Sequence, residues 1–164
     1  MIEIFFPDEY VDSIHHIDYG GLLKKGIKHL IFDIDNTIEP YDVKTPSEKN
    51  TALIAKLKDM GFTLLLVSNN SKKRVEKFNE ELKLTAAFRA KKPLKSAVLK
   101  AMGEVGATAA DTVFIGDQVF TDIWCAKRLG IYAILVKPIV SRDEISVRWK
   151  RRLERKIIDR YLKS

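Results

Sequence analysis

The sequence contains one cysteine, Cys125, which excludes an internal disulfide and with it the small disulfide-stapled secreted scaffolds. Long apolar runs are also missing: none approaches the ~20 residues that a membrane-spanning helix needs. The opening Met1-Ile2-Glu3-Ile4-Phe5-Phe6-Pro7-Asp8 has neither the basic start nor the apolar core of a secretory signal. Histidine is scarce, and the His15-His16 pair has no third ligand at a spacing that suits zinc. Surface or local packing is its expected use. Cys125 reads as a small core residue rather than a redox centre, and Trp124 as packing. No internal repeat or low-complexity linker divides the chain. The expectation is one cytoplasmic domain over residues 1–164, large enough at 18.8 kDa to build a core without staples.

What is present is an ordinary hydrophobic share, 46%, and an unusual charge balance. Lys and Arg number 29 against 22 Asp and Glu, giving +7 and a pI near 9.4. The excess is uneven: residues 1–30 carry a net −2, residues 31–140 a net +4 and residues 141–164 a net +5. Whole-chain pI therefore misleads about where an anionic partner binds.

Apolar patterning alternates strand with helix. Buried strands are expected at 30–32, 62–67, 86–89, 112–115 and 131–136. Helices are expected at 47–60, where Leu53, Ile54, Leu57 and Met60 recur at helical spacing, and at 71–82, 93–104 and 120–129. Residues 1–27 read as an irregular or helical lead-in to a core of about 28–137, and residues 141–164 as a terminal amphipathic helix. The fold class is α/β. It is three-layered and Rossmann-like, a five-stranded, mainly parallel sheet with helices on both faces. Such sheets bind ligands beyond the carboxyl ends of their strands.

Polar residues stand at those ends. The first strand runs into Asp33-Ile34-Asp35-Asn36-Thr37, whose two acids repel unless a cation or proton sits between them. The second ends in Ser68-Asn69-Asn70-Ser71, a hydroxyl and successive N–H groups at a helix start, suited to an anion or to simple capping. Lys91-Lys92-Pro93 follows the third strand. Gly116-Asp117, with Asp122 five residues on, follows the fourth. Each group has an ordinary structural use. Their joint placement gathers acids, hydroxyl and lysine into one cleft. Oxygen ligands without a His/Cys set suit a hard ion, Mg2+, and a metal beside an anion site and a lysine makes a phosphoryl-transfer site.

D-x-D-N-T, the strand-end Ser, Lys-Pro and G-D-x-x-x-x-D, in that order, resemble the haloacid dehalogenase (HAD) superfamily of phosphohydrolases. The likeness covers about residues 28–137. Phe5-Phe6-Pro7-Asp8-Glu9-Tyr10, Gly26-Ile27-Lys28 and Gly116-Asp117-Gln118 with Thr121-Asp122 resemble more narrowly the bacterial YqeG family of subfamily IIIA. The resemblance implies that Asp33 is the nucleophile, forming an aspartyl-phosphate, and Asp35 the general acid and then base. It implies that Ser68 and the Asn69 amide hold phosphate oxygens, and that Lys92 balances charge. Lys92 fits better than Lys91, because it directly precedes Pro. Asp33, the carbonyl of Asp35, and Asp117 would bind Mg2+, with Asp122 in support. The implied function is a Mg2+-dependent phosphatase of a phosphomonoester.

Substrate class is argued from spacing. Asp33 to Ser68 is 35 residues, Ser68 to Lys92 is 24 and Lys92 to Asp117 is 25, which leaves no room for a cap domain. A capless cleft stays open unless 38–46 or another subunit covers it, and suits a large or surface-bound substrate. The tail places Ile145, Trp149, Leu153, Ile157 and Tyr161 every four residues, among six basic side chains from Arg148 to Lys156. Two uses compete: packing on the domain, or peripheral contact with the anionic headgroups of the inner membrane surface. No stacking motif accompanies the charge, so no nucleic acid is expected. The YqeG family resembles organellar phosphatidylglycerophosphate phosphatases, which makes that lipid the leading substrate. A soluble phosphometabolite or nucleotide, or a lipid- or RNA-binding role for the tail, is the alternative. An oligomer is compatible with the sequence. A receiver domain fails on order, because its phospho-accepting Asp belongs where Phe88-Arg89-Ala90-Lys91 stands.

Overall fold

Six parallel strands form one sheet in the computed structural model, which describes residues 1–139 and 145–164. They are β1 (Glu9–Val11), β2 (His29–Phe32), β3 (Thr63–Val67), β4 (Thr85–Ala87), β5 (Thr112–Gly116) and β6 (Tyr132–Val136). The helices are α1 (Tyr19–Lys24), α2 (Glu48–Asp59), α3 (Lys72–Asn79), α4 (Ser96–Val105), α5 (Trp124–Leu129) and α6 (Ile145–Tyr161). The spatial order β1-β6-β5-β2-β3-β4 puts β2 and β5 side by side at the centre. From β2 the chain moves outward to β3 and β4, then returns to lay β5 on the other flank of β2. That reversal opens a crevice at the carboxyl ends of β2 and β5.

Strand residues alternate between two apolar layers, as the two-residue period of a strand requires. Leu30, Phe32, Leu64, Leu66, Val113 and Ile115 pack with Leu22 of α1, Ile54 and Leu57 of α2, and Val75 and Phe78 of α3. Ile31, Leu65, Val67, Phe114, Ala133 and Leu135 pack on the opposite face with Val98 and Met102 of α4, Ala126 of α5 and Ile157 of α6. The helices begin where the sequence supplies caps. Ser47 accepts a hydrogen bond from Asn50 N, and Ser71 accepts one from Arg74 N. Between β2 and α2 the loop is held down by buried Glu39 and Asn50. Asn50 Nδ2 donates to Ile38 O and to Glu39 Oε1, both at 2.7 Å.

All five expected strands are present, and the lead-in adds a sixth at the sheet edge. Glu9-Tyr10-Val11 pairs with Ile134, Leu135 and Val136. A three-residue strand has too little alternation to announce itself. This one is anchored by Asp8, whose Oδ2 accepts from Ala133 N at 2.7 Å. The helix expected at 120–129 opens as one turn of π-helix, Val119–Ile123, before α5. The terminal helix is also present, its expected first residues, 141–144, lying outside the described ones. Its expected stripe is split. Ile157 and Tyr161 face the domain, with Tyr161 against the Phe6 ring at 5.7 Å, whereas Trp149 and Leu153 are exposed. The seam runs instead through Arg151, Glu154 and Ile157, so two charged residues take positions that an apolar-periodicity reading passes over.

Candidate active site

Asp33 leaves β2 almost buried, and both of its oxygens are engaged. Oδ1 accepts a 2.8 Å hydrogen bond from Lys92 Nζ, and Oδ2 accepts one of 3.0 Å from Thr37 Oγ1. Thr37 is brought there by a sharp turn, with Asn36 in the left-handed region at φ 62°. The Thr37 hydroxyl is also 3.2 Å from Asp117 Oδ1, so one proton serves the acids at the ends of β2 and β5.

Lys92 is fully used. Its ammonium has three protons, and they go to Asp33 Oδ1, to Asp122 Oδ1 at 2.7 Å and to Val67 O at 2.9 Å. Asn69 grips the backbone of Lys92 from both sides, accepting from Lys92 N at 2.7 Å and donating to Lys92 O at 3.2 Å. Lys91 is exposed, so of the two neighbouring lysines it is Lys92 that reaches the acids. Burial works to lower the Lys92 ammonium, but the attraction of Asp122 and Asp33 outweighs it and holds the pKa above its ordinary value.

Asp117 and Asp122 come together because Gly116 lets them. A Cβ on Gly116 would overlap the Asp122 side chain, so the π-helical turn can press against the strand end only at glycine. Asp122 Oδ2 accepts from Gln118 N at 3.1 Å, which fixes its rotamer. Asp33, Asp117 and Asp122 each offer an oxygen within 4.8 Å of the other two, all three residues being buried. Burial pushes the Asp33 carboxyl up to about 6, against the pull of Lys92 and with added repulsion from Asp122. Burial, with repulsion from Asp33 and Asp122, also pushes Asp117 well above the usual carboxylate range. Crowded carboxylate oxygens, with Asp33 and Asp117 resisting ionisation, are what a hard divalent ion relieves, so this donor set fits a metal.

The other expected residues line the same crevice. Ser68 is buried, and its Oγ accepts from Asn70 N at 3.0 Å. Asp35 is turned aside. Its Oδ1 accepts from Arg74 Nη2 at 3.0 Å and Nε at 3.2 Å, and its Oδ2 accepts from Asn70 Nδ2 at 2.9 Å. The structure therefore brings Asp33, Lys92, Asp117 and Asp122 into one hydrogen-bonded group, and sets Asp35 beside it on an arginine.

Thr37, Asn70, Arg74, Arg151 and Glu154 carry no role in the sequence-level picture. Arg151 reaches across from α6: Nη2 donates to Asp117 Oδ2 at 2.7 Å and Nη1 to Asp117 O at 3.1 Å. Glu154, also buried, accepts from Arg151 Nη1 and from Phe120 N, both at 3.2 Å, and so ties α6 to the turn that carries Asp122. Thr37 was visible as part of the D-x-D-N-T motif. Asn70 was visible as a possible helix cap, while Arg74, Arg151 and Glu154 had no signal, because their partners lie 34 to 39 residues away.

A parallel sheet with this acid, lysine and hydroxyl group at its switch point is the frame of a phosphohydrolase. The chain belongs to the haloacid dehalogenase-like hydrolases, whose family model matches residues 42–136. That span holds Ser68, Lys92, Asp117 and Asp122 and begins after Asp33 and Asp35. More particularly, the chain is 34% identical over 156 residues to the Bacillus subtilis protein named "Probable phosphatase YqeG". That alignment takes in 95% of this chain and 91% of the relative. It is 28% identical to phosphatidylglycerophosphate phosphatase 1, chloroplastic/mitochondrial, of Arabidopsis thaliana, over 98% of this chain and 49% of that protein. Among solved structures, the cobalt-bound deoxy-D-mannose-octulosonate 8-phosphate phosphatase of Haemophilus influenzae shares the fold. Its TM-score is 0.55 at 19% identity, covering 85% of this chain and 89% of that one. The protein is a phosphoric monoester hydrolase of this family.

Proposed function

We propose that the protein is a Mg2+-dependent phosphatase acting through an aspartyl-phosphate on Asp33, with phosphatidylglycerophosphate at a membrane surface as its leading substrate. One observation carries the chemistry: a single buried ammonium, Lys92, bonded to Asp33 and Asp122 beside Asp117. An Asp33 oxygen attacks phosphorus, and the bond from phosphorus to the leaving oxygen breaks as Asp35 supplies a proton to it. Water then attacks the same phosphorus, Asp35 takes its proton, and inorganic phosphate leaves with Asp33 restored. Ser68 Oγ–H and the Asn69 N–H hold the phosphoryl oxygens that do not transfer, and Lys92 offsets their charge. Asp33, Asp117 and the carbonyl of Asp35 would hold Mg2+, with Asp122 in support; the ion would neutralise charge on the transferring group.

The substrate rests on the relatives named for phosphatidylglycerophosphate, of which this chain spans about half the length, and on a core whose loops leave no space for a cap. Hydrolysis of p-nitrophenyl phosphate with and without Mg2+ tests the chemistry. Turnover that needs Mg2+ and disappears in Asp33→Asn is expected, while turnover surviving that substitution sinks the aspartyl-phosphate. A screen of phosphatidylglycerophosphate vesicles against soluble sugar phosphates and nucleotides tests the substrate. Indifference to the lipid beside good hydrolysis of a soluble compound removes the membrane reading.

A further inference from the structure

Beyond Asp35 the surface sinks into a recess of about 400 Å3 lined by Lys44, Ser71, Lys73, Arg74 and Lys77, with no carboxylate among its walls. Arg74 joins this recess to the crevice. Its Nε and Nη2 hold Asp35 Oδ1, while Nη1 donates to Lys44 O at 3.1 Å. Its guanidinium also lies 5.2 Å from the Phe78 ring centroid, which steadies it. Lys77 already pairs with Glu80, but Lys44 and Lys73 pair with no carboxylate among the described residues. Four cations are thus concentrated on the flank where Asp35 would meet the leaving oxygen.

We propose that this recess is a subsite for a second phosphate group, a diester, carried by the leaving alcohol. The inference rests on the phosphatase reading above and narrows its substrate to phosphomonoesters of alcohols that bear a phosphodiester. A diester bound there engages Lys44 and Lys73 and competes with Asp35 for Arg74. Recognition of the leaving group and release of the Asp35 carboxylate then occur together. A monoester without the second charge leaves Asp35 on its arginine.

Calorimetric titration of Asp33→Asn protein in Mg2+ gives a readout independent of turnover. Glycerophosphoglycerol phosphate, which carries both a monoester and a diester, is compared with glycerol 3-phosphate. The first should bind about tenfold more tightly, as two or three exposed charge contacts allow, and the gap should shrink with added salt. Adding Lys44→Gln and Lys73→Gln should reduce the gap to about twofold, whereas Lys56→Gln with Lys100→Gln, the same charge removed elsewhere, should keep it. Equal affinities for the two ligands, or a gap that persists without Lys44 and Lys73, overturns the subsite. Failure of the phosphatase reading shows separately, as neither p-nitrophenyl phosphate nor glycerophosphoglycerol phosphate being hydrolysed by the unaltered protein. Hydrolysis that depends on Lys44 and Lys73 and is faster for phosphatidylglycerophosphate in vesicles assigns a lipid headgroup. Faster hydrolysis of the acyl-free compound assigns a soluble diester.

Discussion

At the scale of single residues, the site is organised around one ammonium with no proton to spare. Lys92 is buried 5.6 Å from the centroid of Phe114, and its charged form is favoured because Asp122 and Asp33 face it. Lys92→Met removes the cation and leaves two buried carboxylates without their partner. The expected cost is about 3–5 kcal/mol of stability in urea unfolding at neutral pH without metal. At about pH 5 the loss should be smaller, since Asp33, raised to about 6, then holds a proton. A loss below about 1 kcal/mol at neutral pH would mean that the buried acids do not depend on this ammonium for their stability. The identity of Asp33, Lys92, Asp117 and Asp122 was legible because each follows a strand, and parallel strands carry their ends to one rim. Thr37 and Arg74 were not legible as partners. Which rotamer bridges two carboxylates, or which arginine turns an acid aside, depends on side-chain directions that no spacing encodes.

At the scale of elements, α6 changes meaning once its seam is known. The four-residue recurrence Ile145, Trp149, Leu153, Ile157, Tyr161 pointed to one apolar face, and the helix itself follows from that pattern. The docked face is rotated from it, because the Arg151 link to Asp117 and the Glu154 link to Phe120 N fix the helix on the strand-end loop. Polar groups decide the rotation here, and periodicity counts only apolar ones. Among the described residues, Arg151 is the second cation facing the three buried acids, after Lys92. Arg151→Met therefore leaves Asp117 without its ion-pair partner, at about 1–3 kcal/mol. Added Mg2+ should recover much of that loss, so the Mg2+-induced rise in Tm should be larger in the variant than in the unaltered chain. A rise equal or smaller in scanning calorimetry would show that the guanidinium does not balance Asp117. The short edge strand β1 follows the same logic. Three residues give no pattern, and its position is set by the Asp8 contact to Ala133 N on a distant element.

At the scale of the whole molecule, a chain of net charge +7 keeps its acids where the fold turns back on itself. Among the described residues, Asp33, Asp117 and Asp122 face two cations there, Lys92 and Arg151, so once all three acids are ionised the crevice holds an excess of negative charge that a divalent ion would offset. The pH dependence follows with a definite sign. Asp33 has an ordinary value of 3.8 and is raised to about 6, so between these values the folded chain holds a proton that the unfolded chain has released. That contribution is present below 3.8 and is lost as pH rises through about 6, a change of about 3 kcal/mol for Asp33 alone. Asp117, raised for the same reason, extends the loss in the same direction. Metal must displace these protons, so it binds weakly when they are present and strongly when they are gone. The increase in Tm produced by Mg2+ should thus be small at about pH 5 and several degrees larger at about pH 7.5. Asp33→Asn should flatten the difference, because one of the competing protons no longer exists. A Mg2+ effect equal at both pH values would place the ion away from Asp33 and Asp117, since only acids that give up protons can make its binding depend on pH.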